Sequence, residues 1–300
     1  MIKTLNYEKD KKWCQWFAGF MDGDGSILVY KDHVSIEATT SIDDNGILSD
    51  IKNKFGGSIK MRSNANALRW RSRKKDVVLQ VLNCLNGQLH NTLRLSQFKT
   101  ACDFYSIPFI ETKECQEMAA DAAHNNLKPL CTDAYFSGLF DADGSISISV
   151  DWKRVDASLI NISGIYGKVQ RLIYSRGYHQ CQIKCTSKHK INLEHFIKRL
   201  QLGDLYFESH KMHSKWHWVL KSFEFDDFLR YLEINPLKGR KKKNRFHLLS
   251  KYLKLKALGA HLAPHDSAEF KEWQKFCYIW YNYQKDLSSE EQNISNQNVL

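Results

Sequence analysis

A twelve-residue segment occurs twice in this chain, and this duplication limits the possible folds more than any other feature of the sequence. Residues 16–27 read WFAGFMDGDGSI, and residues 135–146 read YFSGLFDADGSI, 119 residues further along a chain of 300. Solenoid and propeller units recur at roughly 20–50 residues, so this offset is too long for them. The sequence therefore predicts one domain present in two copies.

Each copy of the segment is followed by the same series of periodic stretches. Polar and apolar residues alternate, as in strands with one buried face, at 26–30, 34–40, 58–62 and 68–73, and again at 145–153, 180–188, 205–210 and 216–221. Helical patterns occupy 46–55, 76–86 and 192–201. We therefore predict an α+β fold of two pseudo-symmetric αββαββα repeats, each a curved antiparallel sheet of four strands backed by helices.

The repeats suggest a division of the chain into four parts. These are an N-terminal repeat at 1–105, a connection at 106–131, a C-terminal repeat at 132–260, and a helix with a polar tail at 261–300. Residues 157–178 have no counterpart in the first half and are predicted to be an insertion. Helices are also predicted at 114–124 and 266–284, and residues 286–300 are expected to be frayed.

Composition argues against a membrane-spanning or secreted protein. Hydrophobic residues make up 43% of the chain, enough for a folded core, yet no stretch approaches the ~18 apolar residues of a membrane span. Residues 1–12 lack the apolar core of a secretory signal. The eight cysteines form no C-x-x-C pair, so we expect reduced thiols in an intracellular, reducing compartment. The net charge of +11 would suit nucleic acid, an anionic membrane face or an acidic partner.

Small residues lie at matching places in both copies of the segment. The first copy has Ala18 and Gly19, and the second has Ser137 and Gly138. Glycine inside a helix costs roughly 1 kcal/mol relative to alanine, so its presence indicates a packing requirement. We predict that the two helices pack backbone to backbone at a pseudo-twofold axis.

The acidic residues that follow are expected in the last turn of each helix, which would end at a glycine cap, Gly25 or Gly144. The acids are Asp22, Asp24, Asp141 and Asp143. They oppose the negative C-terminal end of the helix dipole unless a cation binds, and their hard oxygens suit magnesium or calcium. A lone D-x-D-G is often only a turn, but here the preceding helix is repeated too. An EF-hand is excluded because its last ligand position holds His33 or Trp152.

The segments FAGFMDGDG and FSGLFDADG, with the pattern that follows each, resemble the LAGLIDADG homing endonuclease family in its single-chain, two-motif form. The resemblance extends over about residues 13–250. It implies that the motif helices form the interface between the repeats. It also implies that the second acid of each motif, Asp24 or Asp143, binds catalytic metal together with the backbone carbonyl of Gly23 or Ala142, whereas the first acid is structural.

For the whole chain the resemblance implies metal-dependent hydrolysis of phosphodiester bonds, with a double-strand break in a long asymmetric duplex. Mg²⁺ or Mn²⁺ would be the cofactor, and Ca²⁺ would bind without supporting cleavage. The expected enzyme is a monomer with no membrane partner, located in a mitochondrion or chloroplast.

The family supplies a basic catalytic residue after the second strand pair of each repeat. The matching segments here are LHNTLRLSQF, ending at Phe98, and LKGRKKKNRF, ending at Phe246. Aligning them pairs Arg94 with Lys242, which we predict to be the basic residues of the two sites; the arginine departs from the usual lysine. Arg240 and Lys241 are close alternatives, and the basic run at 240–243 could equally bind phosphate only.

The polar faces of the predicted strands are rich in Arg, Lys and Gln, which can read base edges in the major groove. The predicted DNA-binding residues are Lys60, Arg62, Arg69, Arg71, Arg73, Lys153, Gln180, Gln182, Lys184, Arg240 and Lys241. Each could instead belong to a merely solvated face. Two such sheets, each covering one helical turn of DNA, predict a double-stranded site of roughly 20 bp, asymmetric because the halves differ.

Two other functions stay open at this stage. Relatives of such proteins assist their own group I intron as RNA maturases, with or without retained DNA cleavage, which would make intron RNA a partner. A DNA-binding regulator without catalysis would predict that metal does not matter. The intact acids Asp24 and Asp143 favour the nuclease.

Overall fold

In the computed structural model, the first repeat has the predicted order of elements. The structure describes residues 7–63, 65–112, 131–210 and 213–282, with side chains from residue 10 onward. The elements are α1 (Tyr7–Asp24), β1 (Gly25–Val29), β2 (Val34–Ser41), α2 (Asn45–Phe55), β3 (Ser58–Met61), β4 (Ala67–Ser72), α3 (Lys75–Leu85) and α4 (Thr92–Tyr105). The sheet order is β1-β2-β4-β3, with antiparallel pairing throughout.

The second repeat builds a sheet of the same order, β5-β6-β8-β7. Its elements are α5 (Tyr135–Asp143), β5 (Gly144–Val150), α6 (Ala157–Ile160), α7 (Gly164–Ile173), β6 (His179–Ser187), α8 (Ile191–His195), β7 (Asp204–Glu208), β8 (Lys215–Val219), α9 (Phe225–Ile234), α10 (Arg240–Ala257) and α11 (Ala268–Trp280). Two antiparallel four-stranded sheets backed by helices confirm the predicted fold class. Helices α6 and α7 occupy the segment that was expected to be an insertion.

The two compact units of the structure do not coincide with the two sequence repeats. One unit combines Met1–Ser147 with Gln182–Asn244, and the other combines Ile148–Cys181 with Arg245–Leu300. The second unit has its own aromatic core, where Trp273 stacks on His179 at 5.1 Å between ring centroids and donates from Nε1 to the Ile173 carbonyl at 3.1 Å. The repeat boundaries stay a prediction, and the expected helix at 114–124 and tail at 286–300 lie outside the described residues.

The motif helices α1 and α5 pack with their backbones in contact. A Cβ added at Gly19 would lie 1.9 Å from the Tyr135 carbonyl oxygen, and one at Gly138 would lie 1.8 Å from the Trp16 carbonyl oxygen. These distances are far inside van der Waals contact, so glycine is what permits the approach. The predicted interface between the motif helices is therefore confirmed.

Gly25 and Gly144 follow the motif helices directly, and Gly144 caps α5 as predicted, with its backbone N–H donating to the Phe140 carbonyl. Gly144 is extended, with φ −74° and ψ 155°, and neither glycine has a positive φ. Glycine is needed here because a Cβ would lie 2.5 Å from the carbonyl oxygen of Met21 or Phe140, four residues earlier. Each motif helix therefore passes straight into the first strand of its sheet.

Two segments of the second repeat depart from the predicted periodicity. Strand β5 ends at Val150, and Lys153 lies in a 3₁₀ turn at Trp152–Arg154, so the prediction that Lys153 lies on a strand face was wrong. The turn forms because the Asp151 carboxylate accepts the Lys153 N–H at 3.2 Å. The helix predicted at 192–201 continues after α8 as a π-helical turn, Phe196–Leu200.

The remaining general expectations concern membranes and cysteines. Among the described residues, no helix is both long and apolar enough to cross a membrane. The cysteines that the structure buries in that part of the chain are Cys14, Cys84, Cys102, Cys131, Cys181, Cys185 and Cys277. Their burial agrees with the expectation of small hydrophobic side chains rather than disulfides.

Candidate active site

The second acid of each motif lies where a motif helix meets its first strand. Asp24 ends α1 and Asp143 ends α5. A Cβ at Gly23 would lie 2.3 Å from the Ala142 Cβ and 3.1 Å from the Asp143 Oδ2, so the two motif ends are adjacent. Burial and the charge of Asp143 raise the pKa of Asp24 to about 7, and desolvation raises the pKa of Asp143. Two neighbouring carboxylates of this kind form a site that a cation would stabilise.

The two aligned basic residues both reach the motif ends. Lys242 donates from Nζ to the backbone oxygens of Asp141 and Ala142, the latter at 2.8 Å. Arg94 donates from Nε to the Met21 carbonyl at 2.9 Å. Each cation thus satisfies carbonyls that the end of a helix leaves without partners. Their positive charges oppose the rise in the pKa of Asp24.

Lys241 and Arg240 differ from Lys242 in what they contact. The backbone N–H of Lys241 donates to Asp44 Oδ1 at 3.1 Å, and its ammonium pairs with Asp43 at 2.5 Å. Arg240 is exposed at the start of α10. The structure therefore separates Lys242, which reaches the motif carbonyls, from its two basic neighbours.

The donor set fits a divalent cation of the magnesium or calcium type. It consists of the carboxylates of Asp24 and Asp143 and the carbonyls of Gly23 and Ala142. Among the described residues, no group of three or more His, Cys, Asp or Glu side chains could hold a metal, so the protein offers a partial shell. Magnesium is commonly held by one or two carboxylates, while waters and substrate phosphates complete its shell. The Ala142 carbonyl already accepts a bond from the Lys242 ammonium, so this position tolerates positive charge.

The first acid of the first motif, Asp22, is buried in a hydrogen-bonded position. Its Oδ2 accepts the backbone N–H groups of His90 and Asn91 at 2.7 and 3.0 Å. The Tyr135 hydroxyl, from the other motif helix, donates to the same oxygen at 2.7 Å. Burial outweighs these bonds and raises the pKa of Asp22 to about 6.

Asp141, the first acid of the second motif, makes the equivalent set of bonds. It accepts the backbone N–H groups of Lys238 and Gly239 at 2.8 and 3.0 Å, and the Trp16 indole N–H at 2.9 Å. Each first acid thus fixes the loop that leads into a helix with a basic residue, and ties it to the opposite motif helix. This arrangement supports a structural role for both first acids.

A cleft of about 720 Å³ opens beside Asp24. Its walls are the motif ends, the polar side of β2 and the start of α10. The lining side chains include Asp24, Ser26, Glu37, Thr39, Asp44, Arg62, Arg69 and Lys242. The cleft therefore connects Asp24 with the polar face of the first sheet.

Strand register places the predicted DNA-binding residues of the first sheet in rows. Arg69 pairs with Thr39 on one side and Lys60 on the other, and Arg71 pairs with Glu37 and Ser58. Arg69 and Arg71 therefore share one face, as predicted. Arg62 and Arg73 are exposed just beyond the ends of β3 and β4.

On the second sheet, β6 alternates as predicted. Its buried side chains are Cys181, Ile183 and Cys185, while Gln180 is exposed and Gln182 and Lys184 are partly exposed. Lys184 pairs in register with Val219 of β8. These positions agree with an accessible polar face on this strand.

Sequence reasoning missed Glu37, because alternation predicted that it would lie on a solvated face. The residue is only 8% exposed. Its two carboxylate oxygens bind Arg69 at 2.8 Å and Arg71 at 2.6 Å. The available signal was a single acid among the four strands of an otherwise basic sheet.

A second missed feature is a buried polar network beside the motif helices. Arg199 pairs with Asp133, and both side chains are 5% exposed. Arg199 also contacts His90 Nε2 at 2.7 Å. Burial lowers the pKa of His90 to about 2, so this imidazole is neutral beside the arginine. Nothing in the periodicity of the chain pairs residues so far apart.

The known proteins that match this chain include a family model and two relatives that align with most of its length. The model, described as LAGLIDADG endonuclease, matches residues 17–105. An intron-encoded RNA maturase bI4 of Saccharomyces cerevisiae is 32% identical over 93% of this chain, and a probable intron-encoded endonuclease aI2 of Debaryomyces hansenii is 30% identical over 93%. The chain spans 38% and 39% of the length of these two relatives.

Solved structures share the fold at low sequence identity. The meganuclease I-SmaMI bound to uncleaveable DNA superposes with a TM-score of 0.59 at 16% identity, covering 90% of this chain and 99% of that one. A structure of I-SmaMI on uncleaved DNA in the presence of calcium ions has a TM-score of 0.55 at 15% identity, covering 87% and 97%. The motif helices and both sheets thus belong to a known architecture.

Proposed function

Because the chain belongs to the LAGLIDADG endonuclease family, in its single-chain form with two motifs, we propose that it is a homing endonuclease. It makes a double-strand break in a duplex DNA site of roughly 20 bp, by metal-dependent hydrolysis. The observation that supports this most is the meeting of Asp24, Asp143 and Lys242 at the ends of two helices in backbone contact. Such close packing holds the second acids of the two motifs beside each other.

Asp24 and Asp143 would hold the divalent ions, assisted by the carbonyls of Gly23 and Ala142. Bound Mg²⁺ or Mn²⁺ supplies an activated water and charge stabilisation for the leaving 3′ oxygen. Calcium is expected to bind the same hard oxygens and support duplex binding without hydrolysis. Two neighbouring carboxylates suit this role because each needs a positive partner to stay ionised.

Lys242 and Arg94 are the basic residues of the two sites in this proposal. Lys242 is held by two carbonyls and has one remaining ammonium donor, which would stabilise the charge that develops on a phosphate. Arg94 is 7% exposed and bonded to the Met21 carbonyl, so its charge would act on the site from a buried position at the end of α1. The repeats therefore differ in how openly their cations face DNA.

The grooves of the DNA would be contacted by the polar faces of both sheets. These faces carry Arg69, Arg71, Lys60 and Arg62 on the first sheet and Gln182 and Lys184 on the second. Since the two polar faces differ in sequence, the target is asymmetric. A monomer suffices, because both repeats lie in one chain. Both relatives are described as intron-encoded, and we propose an organelle as the site of action.

The test is cleavage of a randomised duplex library with magnesium, calcium or EDTA. We expect double-strand cleavage in magnesium only, and duplex binding without cutting in calcium. Asp24→Asn and Asp143→Asn should each abolish double-strand cleavage while binding survives. Equal cleavage in EDTA and magnesium would rule out the metal mechanism, and full cleavage by the double variant would rule out the assignment of the acids.

RNA maturation is the second candidate, favoured by the 32% identity to a protein described as an RNA maturase. A maturase would accelerate splicing of its own group I intron. Splicing that persists in the Asp24→Asn, Asp143→Asn double variant would establish this activity separately from DNA cleavage. No effect on splicing by the intact chain would exclude it.

A further inference from the structure

We infer that Glu37 is a positioning residue that orients Arg69 and Arg71 to read two bases of the target, an inference that rests on the proposed DNA cleavage. Glu37 lies in the middle of β2. Its Oε2 accepts Arg69 Nη1 at 2.8 Å, and its Oε1 pairs with Arg71 Nη2 at 2.6 Å. Because each oxygen holds a different arginine, one carboxylate fixes two guanidinium groups.

Strand register explains how one acid reaches both arginines. Glu37 faces Arg71 directly across the β2–β4 pair, and Arg69 faces Thr39, the next residue of β2 on the same side. Ser26 of β1 faces Glu37 from the other edge. A long arginine side chain normally loses rotamer freedom when it binds, and a contact that already holds it reduces that loss.

The arginines keep donors for a nucleic acid after binding Glu37. Each guanidinium is joined to the carboxylate through a terminal nitrogen, Nη1 in Arg69 and Nη2 in Arg71. Guanine presents two acceptors, O6 and N7, in the major groove, and arginine is the side chain that pairs with both. The arrangement therefore favours guanine opposite each arginine.

The spacing of the arginines sets the spacing of the bases. Residues two apart on an antiparallel strand are about 6.8 Å apart, and base pairs rise by about 3.4 Å. Arg69 and Arg71 should therefore read two positions separated by one base pair.

Glu37 should also weaken contacts to the DNA backbone. It is the single acidic residue in the four strands of the first sheet. A carboxylate beside two arginines repels phosphate and offsets one of their charges. Its removal should therefore strengthen binding to any duplex while weakening the choice of base.

The experiment compares Glu37→Gln with Glu233→Gln, the same chemical change at an exposed position of α9. Each protein is measured on the selected target and on every single-base variant of it, and its binding to unrelated duplex is measured against salt. We expect the intact chain to prefer guanine at two positions by about 5- to 150-fold. Glu37→Gln should reduce that preference at least threefold and steepen the salt slope by about one unit, whereas Glu233→Gln should retain it.

A double-mutant cycle separates positioning from a general structural effect. In the Arg69→Ala, Arg71→Ala background, Glu37→Gln should leave base preference unchanged, because the groups through which it acts are absent. Preference that Glu37→Gln alters equally in both backgrounds would overturn the inference. So would Glu37→Gln with the same preferences as Glu233→Gln. If the intact chain cleaves no selected duplex, the proposed function fails instead.

Discussion

Substituting Gly19 by alanine tests how closely the two motif helices must approach. A Cβ at this position would lie 1.9 Å from the Tyr135 carbonyl oxygen and 2.7 Å from the Leu139 nitrogen, whereas ordinary contact begins at 3.4 Å. The shortfall to Tyr135 is about 1.5 Å, and both atoms are backbone, so no side-chain rotation relieves it. Overpacking of a core commonly costs about 1–3 kcal/mol. We expect a loss at the upper end, about 3 kcal/mol, because α1 and α5 must separate.

The matched control is Gly46→Ala in α2. A Cβ at Gly46 meets nothing within 4 Å, and the residue is exposed. Alanine there should stabilise the protein by about 0.5–1 kcal/mol, since glycine is the poorer helix former. The same chemical change is thus expected to have opposite signs at two helical positions.

Urea unfolding followed by circular dichroism measures both variants, with cleavage rate measured in parallel. Separation of α1 from α5 would also move Asp24 away from Asp143, so Gly19→Ala should cleave slowly even when folded at low temperature. Unchanged stability and cleavage in Gly19→Ala would refute the argument that backbone contact between the motif helices assembles the site.

Further predictions concern charge and the second unit. The pKa of Asp24 rises from 3.8 to about 7 on folding, so its ionisation destabilises the folded state fully above pH 7 and not at all below pH 3.8. In the absence of metal, Asp24→Asn should therefore raise the free energy of unfolding more at pH 8 than at pH 5. Equal gains at the two pH values would contradict this argument. Arg199→Met leaves the Asp133 carboxylate buried without its cation and should cost about 3–5 kcal/mol in urea unfolding, largely recovered when Asp133→Asn is added. Trp273→Ala should lower the free energy of unfolding by about 3–5 kcal/mol, because it removes a buried aromatic side chain. Calorimetry should show a melting transition at lower temperature in this variant. Lys275→Ala, at an exposed position of the same helix, should leave the melting temperature unchanged.

The fold could be predicted because its main signals are local and occur twice. Alternation in β6 correctly identified Cys181, Ile183 and Cys185 as buried. The motif glycines correctly indicated close helix packing, since glycine in a helix interior needs a reason. Where prediction failed, a neighbouring side chain decided the outcome: the Asp151 carboxylate ends the strand pattern before Lys153.

That the ends of the two motifs lie together could be predicted from the sequence, but the surroundings of their acids could not. Alignment of two short segments paired Arg94 with Lys242, and the structure brings each to the end of its own motif helix. It did not show that Arg94 would be nearly buried. Arg94 is bonded to Gln97 one turn along α4, and Gln97 also accepts the Ile27 N–H at 3.3 Å, contacts that no local sequence pattern predicts.

The burial of Glu37 was also not predictable from the sequence pattern. Its place in the alternation was identified correctly, yet alternation predicts only which side of a strand a residue occupies. Whether that side is open depends on the lengths and charges of side chains on the next strand, here Arg69 and Arg71. An acid between two arginines of a neighbouring strand draws them over itself and becomes buried. The polar face of a sheet can therefore bury its own acid beneath the side chains with which that acid pairs.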